Sequence, residues 1–255
     1  MSLSIELDNF NLDKRYWTDG KDVFHCNSRI KNIDVETFRH FFGVWAKDKK
    51  RCFLGSSILK KADIKTFEVL NLTFAKDKEN VWTLGGEIKN VDAESFIVCD
   101  DGKMSLGELD LFVPYGFGKD KNNVYYYNYI GKPKVVKKAN SENFKSLNDG
   151  YFTYDQNFVF CGFTTIPKAN PKTWKKLEDK YFYSKDNGKV FYFNKLIKDA
   201  DYDTFRVVKY SLMSGLPNQY AKDKESGFLN GKRISFEKLI QEVNFYNRIS
   251  DELKI

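Results

Sequence analysis

The sequence predicts a mainly β fold with short helical turns, built as a tandem array of about seven β-hairpin-plus-helical-turn repeats of ~29 residues. Three observations predict it: a periodic aromatic anchor, a polar turn with a fixed aromatic position behind it, and a helix-capping residue before each anchor. The anchors are Phe10, Phe38, Phe67, Phe96, Phe144, Trp174, Phe205 and Phe236, at spacings of 28, 29, 29, 48, 30, 31 and 31 residues. A solenoid-like array is expected, and a closed, propeller-like ring is the topological alternative.

The first half of each repeat is predicted to be a β-hairpin. Five units carry an Asp 19 residues before the anchor, and Asp120 and Asp223 hold the same place at 24 and 13 residues; the five are Asp19, Asp48, Asp77, Asp155 and Asp186. Asp closes turns by accepting a hydrogen bond from the backbone two residues on. The fifth residue after it is always aromatic, at Phe24, Phe53, Trp82, Tyr125, Phe160, Phe191 and Phe228. Large apolar residues on both alternating faces, as in Val190–Phe193, predict strands covered on both sides.

The incoming strand of each hairpin is predicted from an aromatic residue three positions before the turn Asp. These residues are Trp45, Phe74, Phe117, Phe152, Tyr183 and Tyr220. Since Phe10 and Trp17 are 7 residues apart, like Phe38 and Trp45, the chain is expected to open with half a unit.

The second half of each repeat is predicted to be a short helix. Four residues before the anchor stand residues that favour helix N-caps, at Asp34, Asp63, Asp92, Asn140, Asn170 and Asp201. Three residues after the anchor stand Phe41, Leu70, Cys99, Leu147, Leu177, Val208 and Leu239, so anchor and partner are expected to share one helix face.

With these motifs the chain resembles the bacterial DKNYY repeat proteins. The most similar copy runs from Asp120 to Tyr126 (DKNNVYY), and looser copies begin at Asp77 and Asp186. The likeness extends over about residues 9 to 240. It implies a repeat scaffold without an assigned activity, and it carries over no catalytic residue.

The repeats are interrupted by insertions and capped at the C-terminus. Fourteen extra residues enter after Phe96 and five more follow near Tyr129, which accounts for the long spacing of 48. Insertions in repeat proteins map to loops and often to the binding face, although a long surface loop is also tolerated. A smaller interruption runs from Lys209 to Gln219. From Phe236 to Leu253 a helical period predicts a terminal helix with Ser235 as its N-cap.

The predicted domain organisation is a single repeat domain over residues 1–255. Its units are approximately 1–10 (partial), 11–41, 42–70, 71–99, 115–147, 148–177, 178–208 and 216–240, with an insertion at 100–114 and a capping helix at 235–255.

The net charge of +7 comes from 42 Lys and Arg against 35 Asp and Glu. Such a balance is compatible with a polyanion partner. Because the lysines recur in the turn positions, we assign most of this charge to solvation of hairpin tips rather than to nucleic-acid binding. No apolar run has the length of a signal peptide or a membrane span. A cytoplasmic location is expected if the chain is full length, and the cell envelope if a leader was removed.

No chemical constellation in the sequence predicts catalysis, a metal or a cofactor. His25 and Cys26 are adjacent, so on a strand their side chains point to opposite faces. The four cysteines form no CxxC pair and are expected to be free thiols. The turn aspartates do not predict calcium binding, because neighbouring lysines such as Lys49 and Lys78 would oppose a cation.

The sequence therefore predicts a non-catalytic scaffold that presents a surface to an unknown protein or glycan partner, with no cofactor. The alternatives are polyanion or nucleic-acid binding through a basic and aromatic face, and an enzyme that uses the insertion after Phe96. The candidate binding surface comprises Asp101, Met104, Glu108, Tyr127, Tyr129, Lys132 and Lys134.

Overall fold

The computed structural model describes residues 15–41, 43–106, 109–179, 181–209 and 219–252. Within these ranges the chain forms seven small antiparallel sheets in chain order, one inserted hairpin and one helix. The predicted anchor Phe10, the partial unit 1–10 and most of the interruption between Lys209 and Gln219 lie outside the described residues.

The first three sheets have strands of two or three residues. Sheet 1 consists of β1 (Tyr16–Thr18), β2 (Val23–His25) and β3 (Ser28–Arg29). Sheet 2 consists of β4 (Arg39–His40), β5 (Trp45–Lys47), β6 (Cys52–Leu54) and β7 (Ser57–Ile58). Sheet 3 consists of β8 (Glu68–Val69), β9 (Phe74–Lys76), β10 (Val81–Thr83) and β11 (Gly86–Glu87).

Sheet 4 is interrupted by the insertion. It begins with β12 (Ile97–Val98), then the chain forms the separate hairpin β13 (Lys103–Leu106) and β14 (Leu109–Pro114), and the sheet continues with β15 (Gly116–Lys119), β16 (Val124–Tyr127) and β17 (Lys134–Val135). The strands of sheet 4 pair in the order β12-β15-β16-β17, and β13 pairs with β14 as a separate two-stranded sheet. All of these pairs are antiparallel.

Three further sheets and a helix complete the described chain. Sheet 5 consists of β18 (Lys145–Ser146), β19 (Phe152–Tyr154), β20 (Val159–Cys161) and β21 (Thr164–Thr165). Sheet 6 consists of β22 (Lys175–Lys176), β23 (Tyr183–Asp186), β24 (Lys189–Tyr192) and β25 (Lys195–Ile197). Sheet 7 consists of β26 (Arg206–Val208), β27 (Tyr220–Lys222), β28 (Gly227–Leu229) and β29 (Lys232–Ile234), and α1 spans Phe236–Glu252.

The two middle strands of each four-stranded sheet are the predicted hairpin. In sheet 2, Trp45 pairs with Leu54 and Ala46 with Phe53 across the ladder. The incoming aromatic residues are fully buried in every described unit from Trp45 onward, and all of Val81–Thr83 is buried. The expected cover on both faces of the hairpin is therefore present.

The segment before each anchor from Phe38 to Phe205 is a single helical turn, shorter than the predicted helix. Trp174 N–H donates to Asn170 O at 2.9 Å and Phe205 N–H donates to Asp201 O at 3.0 Å, the i to i+4 spacing of an α-turn. The turn ends at the anchor, and the residues after it form the first strand of the next sheet.

The prediction that the anchor and the third residue after it share one helix face is therefore wrong for the anchors from Phe38 to Phe205. The third residue instead pairs with the incoming strand: Leu70 N–H donates to Phe74 O at 2.9 Å and Cys99 N–H donates to Phe117 O at 2.8 Å. The backbone groups on the outer edge of the incoming strand need hydrogen-bond partners. The residues after the anchor supply these partners, and they therefore adopt an extended conformation.

The anchors pack between consecutive sheets. The ring of Phe96 lies 5.6 Å from that of Phe74 in sheet 3 and 6.2 Å from that of Tyr125 in sheet 4. Phe205 bridges Tyr183 and Phe228 in the same way, at 5.5 and 5.1 Å. The array thus has a series of apolar layers, each closed by one aromatic ring.

Two predicted positions differ at the ends of the array. In sheet 1 the incoming position is held by Tyr16, which is 2% exposed, whereas Trp17 is 45% exposed. The hydroxyl of Tyr16 donates to Val44 O at 2.7 Å, so it also joins sheet 1 to sheet 2. At the other end Phe236 is 38% exposed, and Leu239 of α1 packs on Tyr220 instead.

Candidate functional site

From sheet 2 to sheet 7 the turn Asp of the repeat is a buried structural group. In sheet 2, Asp48 Oδ1 accepts the N–H of Lys50 and of Arg51, both at 2.7 Å, and Oδ2 accepts the N–H of Asp34 at 3.0 Å. The same bridge to the preceding helical turn is made by Asp77, Asp120, Asp155, Asp186 and Asp223. In each of sheets 2 to 7, one carboxylate therefore closes the hairpin tip and fastens it to the connection that leads into its sheet.

The Lys that follows the turn Asp is held in an ion pair. Its ammonium reaches the capping Asp of the preceding helical turn, in the pairs Lys49–Asp34 (2.7 Å), Lys78–Asp63 (3.1 Å), Lys121–Asp92 (2.7 Å) and Lys224–Asp201 (3.0 Å). The hydrogen bond from Lys49 holds the pKa of Asp34 at about 2. Where the capping residue is Asn, at Asn140 and Asn170, the position after the turn Asp is Gln156 or Asn187, so the charges change together.

The two tyrosines of the Asp120–Tyr126 motif point to opposite faces of β16. Tyr125 donates its hydroxyl to Asp120 Oδ2 at 2.8 Å and belongs to the repeat core. Burial opposes ionisation of Asp120, but this bond and those from backbone N–H groups, including that of Asp92, outweigh it and lower the pKa. Tyr126 faces the other way and lines a groove.

This groove has a volume of about 440 Å³ and crosses sheets 4 to 7. It runs along the turns that follow the second strand of each hairpin. We call it the turn groove. It is lined by Tyr126, Asn128, Tyr151, Cys161, Gly162, Phe163, Thr164, Tyr192, Phe193, Asn194, Lys195, Leu196, Ile197, Asn230, Gly231 and Lys232. It is therefore built from one equivalent segment of four successive repeats.

A size difference between repeats creates the turn groove. The position six residues after the turn Asp holds Tyr126, Cys161 and Tyr192 in sheets 4, 5 and 6. The small Cys161 leaves space between the two tyrosines. Gly162, at φ 58°, lets the turn pass close to Tyr126: a Cβ there would lie 3.0 Å from the ring. Such a left-handed conformation favours glycine.

Polar groups face the turn groove without an acidic residue among its described lining. Asn194 Nδ2 donates to Thr164 Oγ1 at 3.0 Å, and Tyr192 donates its hydroxyl to Asn230 Oδ1 at 3.1 Å. The side chain of Asn128 makes no hydrogen bond to another described residue, and Lys195 forms no ion pair with one.

The predicted binding surface is only partly exposed. Met104 and Tyr127 are buried, at 2% and 3% exposure, and so cannot present a surface. Asp101, Tyr129, Lys132 and Lys134 are exposed, and Glu108 lies outside the described residues. Of these, Lys134 approaches the turn groove: its ammonium lies 3.9 Å from the ring centroid of Phe163.

The insertion is anchored into the array at its base. Met104 packs in the core shared by sheets 4 to 6. Asp100 accepts the N–H of Gly102 at 3.0 Å and of Phe117 at 3.0 Å, and the hydroxyl of Ser146. Burial raises the pKa of this carboxyl to about 7 against those hydrogen bonds. In sheet 3, Asn71 makes the equivalent bond to Phe74 N–H at 2.8 Å, so the insertion lengthens an existing turn.

The histidine and cysteine side chains are not arranged as a nucleophilic site. The His25 ring packs against Tyr16 in a tilted arrangement, with ring centroids 4.9 Å apart, and burial lowers the pKa of the imidazole. Burial raises the pKa of Cys52 and of Cys99 to about 12, and the four cysteines are free. No cluster of three His, Cys, Asp or Glu side chains suited to a metal occurs among the described residues. Likewise, within the described ranges no helix is apolar and long enough to span a membrane.

Sequence reasoning missed the turn groove. The signal was present in the unequal sizes of Tyr126, Cys161 and Tyr192 at one repeat position. It becomes a groove only when the three sheets are stacked in order.

These features define a repeat protein of stacked antiparallel sheets, in which the turn groove crosses sheets 4 to 7. The sequence model of the DKNYY family matches residues 45–195 and 183–251. The chain therefore belongs to the DKNYY family, as its motifs indicate. A search of curated proteins and a search of solved structures each find no match.

Proposed function

We propose that this protein is a non-catalytic repeat scaffold that binds a protein partner in the turn groove. One observation carries the proposal: the residues that the repeats share are engaged within the array, while the groove is lined by residues in which the repeats differ. Repeat proteins use such variable positions on a common framework for recognition.

The shared residues have structural partners. The turn Asp bonds backbone N–H groups, the following Lys pairs with a capping Asp, and the anchors lie between sheets. These groups are therefore occupied in stabilising the fold.

The groove positions vary from repeat to repeat. The eighth residue after the turn Asp is Asn27, Ser56, Gly85, Asn128, Phe163, Asn194 and Gly231 in the seven sheets. Phe163 and Leu196 are exposed apolar residues at the rim, at 37% and 45% exposure. A concave site with aromatic walls and a few polar groups is the usual form of a ligand site.

The ion pairs at the hairpin tips favour this proposal over a polyanion surface. Four turn lysines are already neutralised by aspartates of the same array. Polyanion affinity depends on the number of cations available to replace counterions. Those tips therefore offer little net positive charge.

The proposal is tested with a display library of natural protein fragments selected on the full chain. For selected fragments, the double variant Phe163→Ser, Leu196→Ser should raise Kd at least about tenfold, because each apolar side chain contributes about 1.5–3 kcal/mol when buried. The matched control is Ile58→Ser, which changes the equivalent of Leu196 in sheet 2 at a similar exposure of 41%. A Kd unchanged by the double variant, or equally raised by the control, would refute binding in the turn groove.

A further inference from the structure

The rim of the turn groove is positively charged. Lys195 and Lys232 occupy the same repeat position in sheets 6 and 7, nine residues after the turn Asp, and both are exposed. At the sheet 4 side, Lys134 lies over the ring of Phe163. None of these ammonium groups pairs with a carboxylate of the described residues, and the described lining contains no acidic side chain. The charge of the groove is therefore complementary to an anionic ligand.

The floor of the turn groove is aromatic and carries amide groups. Tyr151 meets Phe193 edge-on at 5.6 Å between ring centroids, which gives a broad apolar base. Asn128 presents an unpaired amide at one side, and Asn194 uses its Nδ2 on Thr164 while its Oδ1 accepts no bond from a described residue. A primary amide supplies both donors and an acceptor, which matches the N–H and C=O of a peptide group.

An edge strand borders the groove with free backbone groups. β25 is the last strand of sheet 6 and pairs only with β24, with Lys195 opposite Tyr192 and Ile197 opposite Val190. Ile166 of sheet 5 corresponds to Ile197 of sheet 6, and its N–H donates to Val159 O at 2.8 Å. The two outer residue pairs of β24 and β25 are therefore the hydrogen-bonded pairs. The intervening Leu196 then directs its N–H and C=O away from the sheet. Extended peptides are recognised through such groups on sheet edges.

From these features we infer that the turn groove takes an extended acidic peptide segment, with an apolar side chain on the aromatic floor and carboxylates toward Lys134, Lys195 and Lys232. This inference rests on the proposed function and adds the chemical class of its ligand. A phosphate polymer fits less well, because its affinity grows with the number of cations and this groove has few on an apolar base.

The probe for the test is a phage-displayed library of random heptapeptides selected on the full chain. Enriched peptides should carry at least two acidic residues beside an aromatic or aliphatic one. A soluble peptide of the enriched sequence should bind the double variant Lys195→Glu, Lys232→Glu at least tenfold more weakly than the wild type. The matched control is Lys31→Glu, Lys60→Glu, which makes the same change of net charge on exposed lysines of sheets 1 and 2 and should alter Kd less than twofold.

The outcomes separate this inference from the proposed function. Enriched peptides that are neutral or basic, and that lose affinity on Phe163→Ser, Leu196→Ser, overturn the acidic class and leave the groove as the binding site. Acidic peptides insensitive to that apolar variant overturn the groove as their site. Equal loss of affinity in the two charge-reversal variants indicates unspecific attraction, and no enrichment over the unselected library indicates that the ligand is not a peptide. Both results refute the inference.

Discussion

At the scale of single residues, one buried carboxylate organises each repeat from sheet 2 to sheet 7. Asp77 is 1% exposed and accepts the N–H of Glu79, Asn80 and Asp63 at 2.8, 2.6 and 2.7 Å. Its two oxygens thus serve two segments: the hairpin tip and the helical turn before it. A buried N–H without a partner costs about 1–3 kcal/mol, so a position with three such donors is sensitive to substitution.

We expect Asp77→Ala to lower the free energy of unfolding by about 3 kcal/mol, because three backbone donors lose their acceptor at once. Chemical denaturation at neutral pH measures it. The control is Asp19→Ala at the equivalent position of sheet 1, where the carboxylate is exposed and, among the described residues, accepts the N–H of Lys21 and Asp22. It should cost less than about 1 kcal/mol; equal losses in the two variants would contradict the structural role of burial.

The second residue-scale feature is the protonation of Asp100. Its folded-state pKa of about 7 exceeds the ordinary value of an Asp carboxyl, near 3.9. Between about pH 4 and pH 7 the folded protein therefore holds the proton that the unfolded chain releases. Linkage then requires that the contribution of this group to stability is present at low pH and is lost as pH rises toward 7.

We expect Asp100→Asn to gain stability relative to the wild type as pH rises from 5 to 8, with a slope approaching about 1.4 kcal/mol per pH unit below pH 7. The amide is tolerated because Asn71 fills the equivalent place in sheet 3. Unfolding free energies at several pH values test this. A pH-independent difference between Asp100→Asn and the wild type would show that this carboxyl is not perturbed.

At the scale of elements, each sheet is too small to be stable alone. Strands of two to four residues bury little surface, and isolated hairpins are marginal in water. The sheets are stabilised by the layers between them, and at the C-terminal end α1 supplies the last layer. Leu239 and Val243 face Tyr220 and Leu229 of sheet 7, while Phe236 and Ile240 stay exposed.

We expect Leu239→Ala to lower the free energy of unfolding by about 2–4 kcal/mol, because it opens a cavity beneath α1. Phe236→Ala, in the same helix and in the anchor position of the sequence repeat, should cost less than about 1 kcal/mol since that ring is partly solvated. Hydrogen exchange of sheet 7 amides distinguishes the two. Greater loss of protection in the Phe236 variant would reverse this assignment.

At the scale of the whole molecule, contacts connect consecutive sheets. The ring of Phe67 lies 6.4 Å from that of Phe41, which connects β4 and β5 of sheet 2, and 6.1 Å from that of Trp82 in sheet 3. Similar aromatic layers follow along the array to sheet 7. Stability in such an array is approximately a sum of terms between neighbours.

We expect Phe67→Ala to cost about 3–5 kcal/mol and to weaken sheets 2 and 3 together. Hydrogen exchange should show faster opening of both sheets and little change in sheets 6 and 7, since no contact of Phe67 reaches them. Uniform loss of protection from sheet 1 to sheet 7 would instead indicate a single cooperative core.

The sequence predicts the repeat architecture well because one period governs it. Among the described residues, the anchors, the turn Asp and the incoming aromatic residues occupy their expected places, except at Trp17 and Phe236. The period does not predict the short strand after each anchor. Those residues form a strand because they pair with the incoming strand of the next hairpin, which lies several residues further along the chain. The turn groove depends on the relative sizes of Tyr126, Cys161 and Tyr192 in three stacked sheets. Met104 is buried because the inserted hairpin packs onto the core, and residue spacing does not predict that contact.

The bridge from each turn Asp to the preceding helical turn has an evolutionary consequence. Donor and acceptor are separated by less than one period in most units, as in Asp34 and Asp48 or Asp63 and Asp77. When one complete period is duplicated or lost in frame, the new boundary therefore again has a backbone N–H donor in the helical turn and a turn Asp that accepts its hydrogen bond. Genes for such arrays are free to lengthen or shorten by recombination without a compensating mutation, and the number of modules becomes a heritable variable separate from the design of each one.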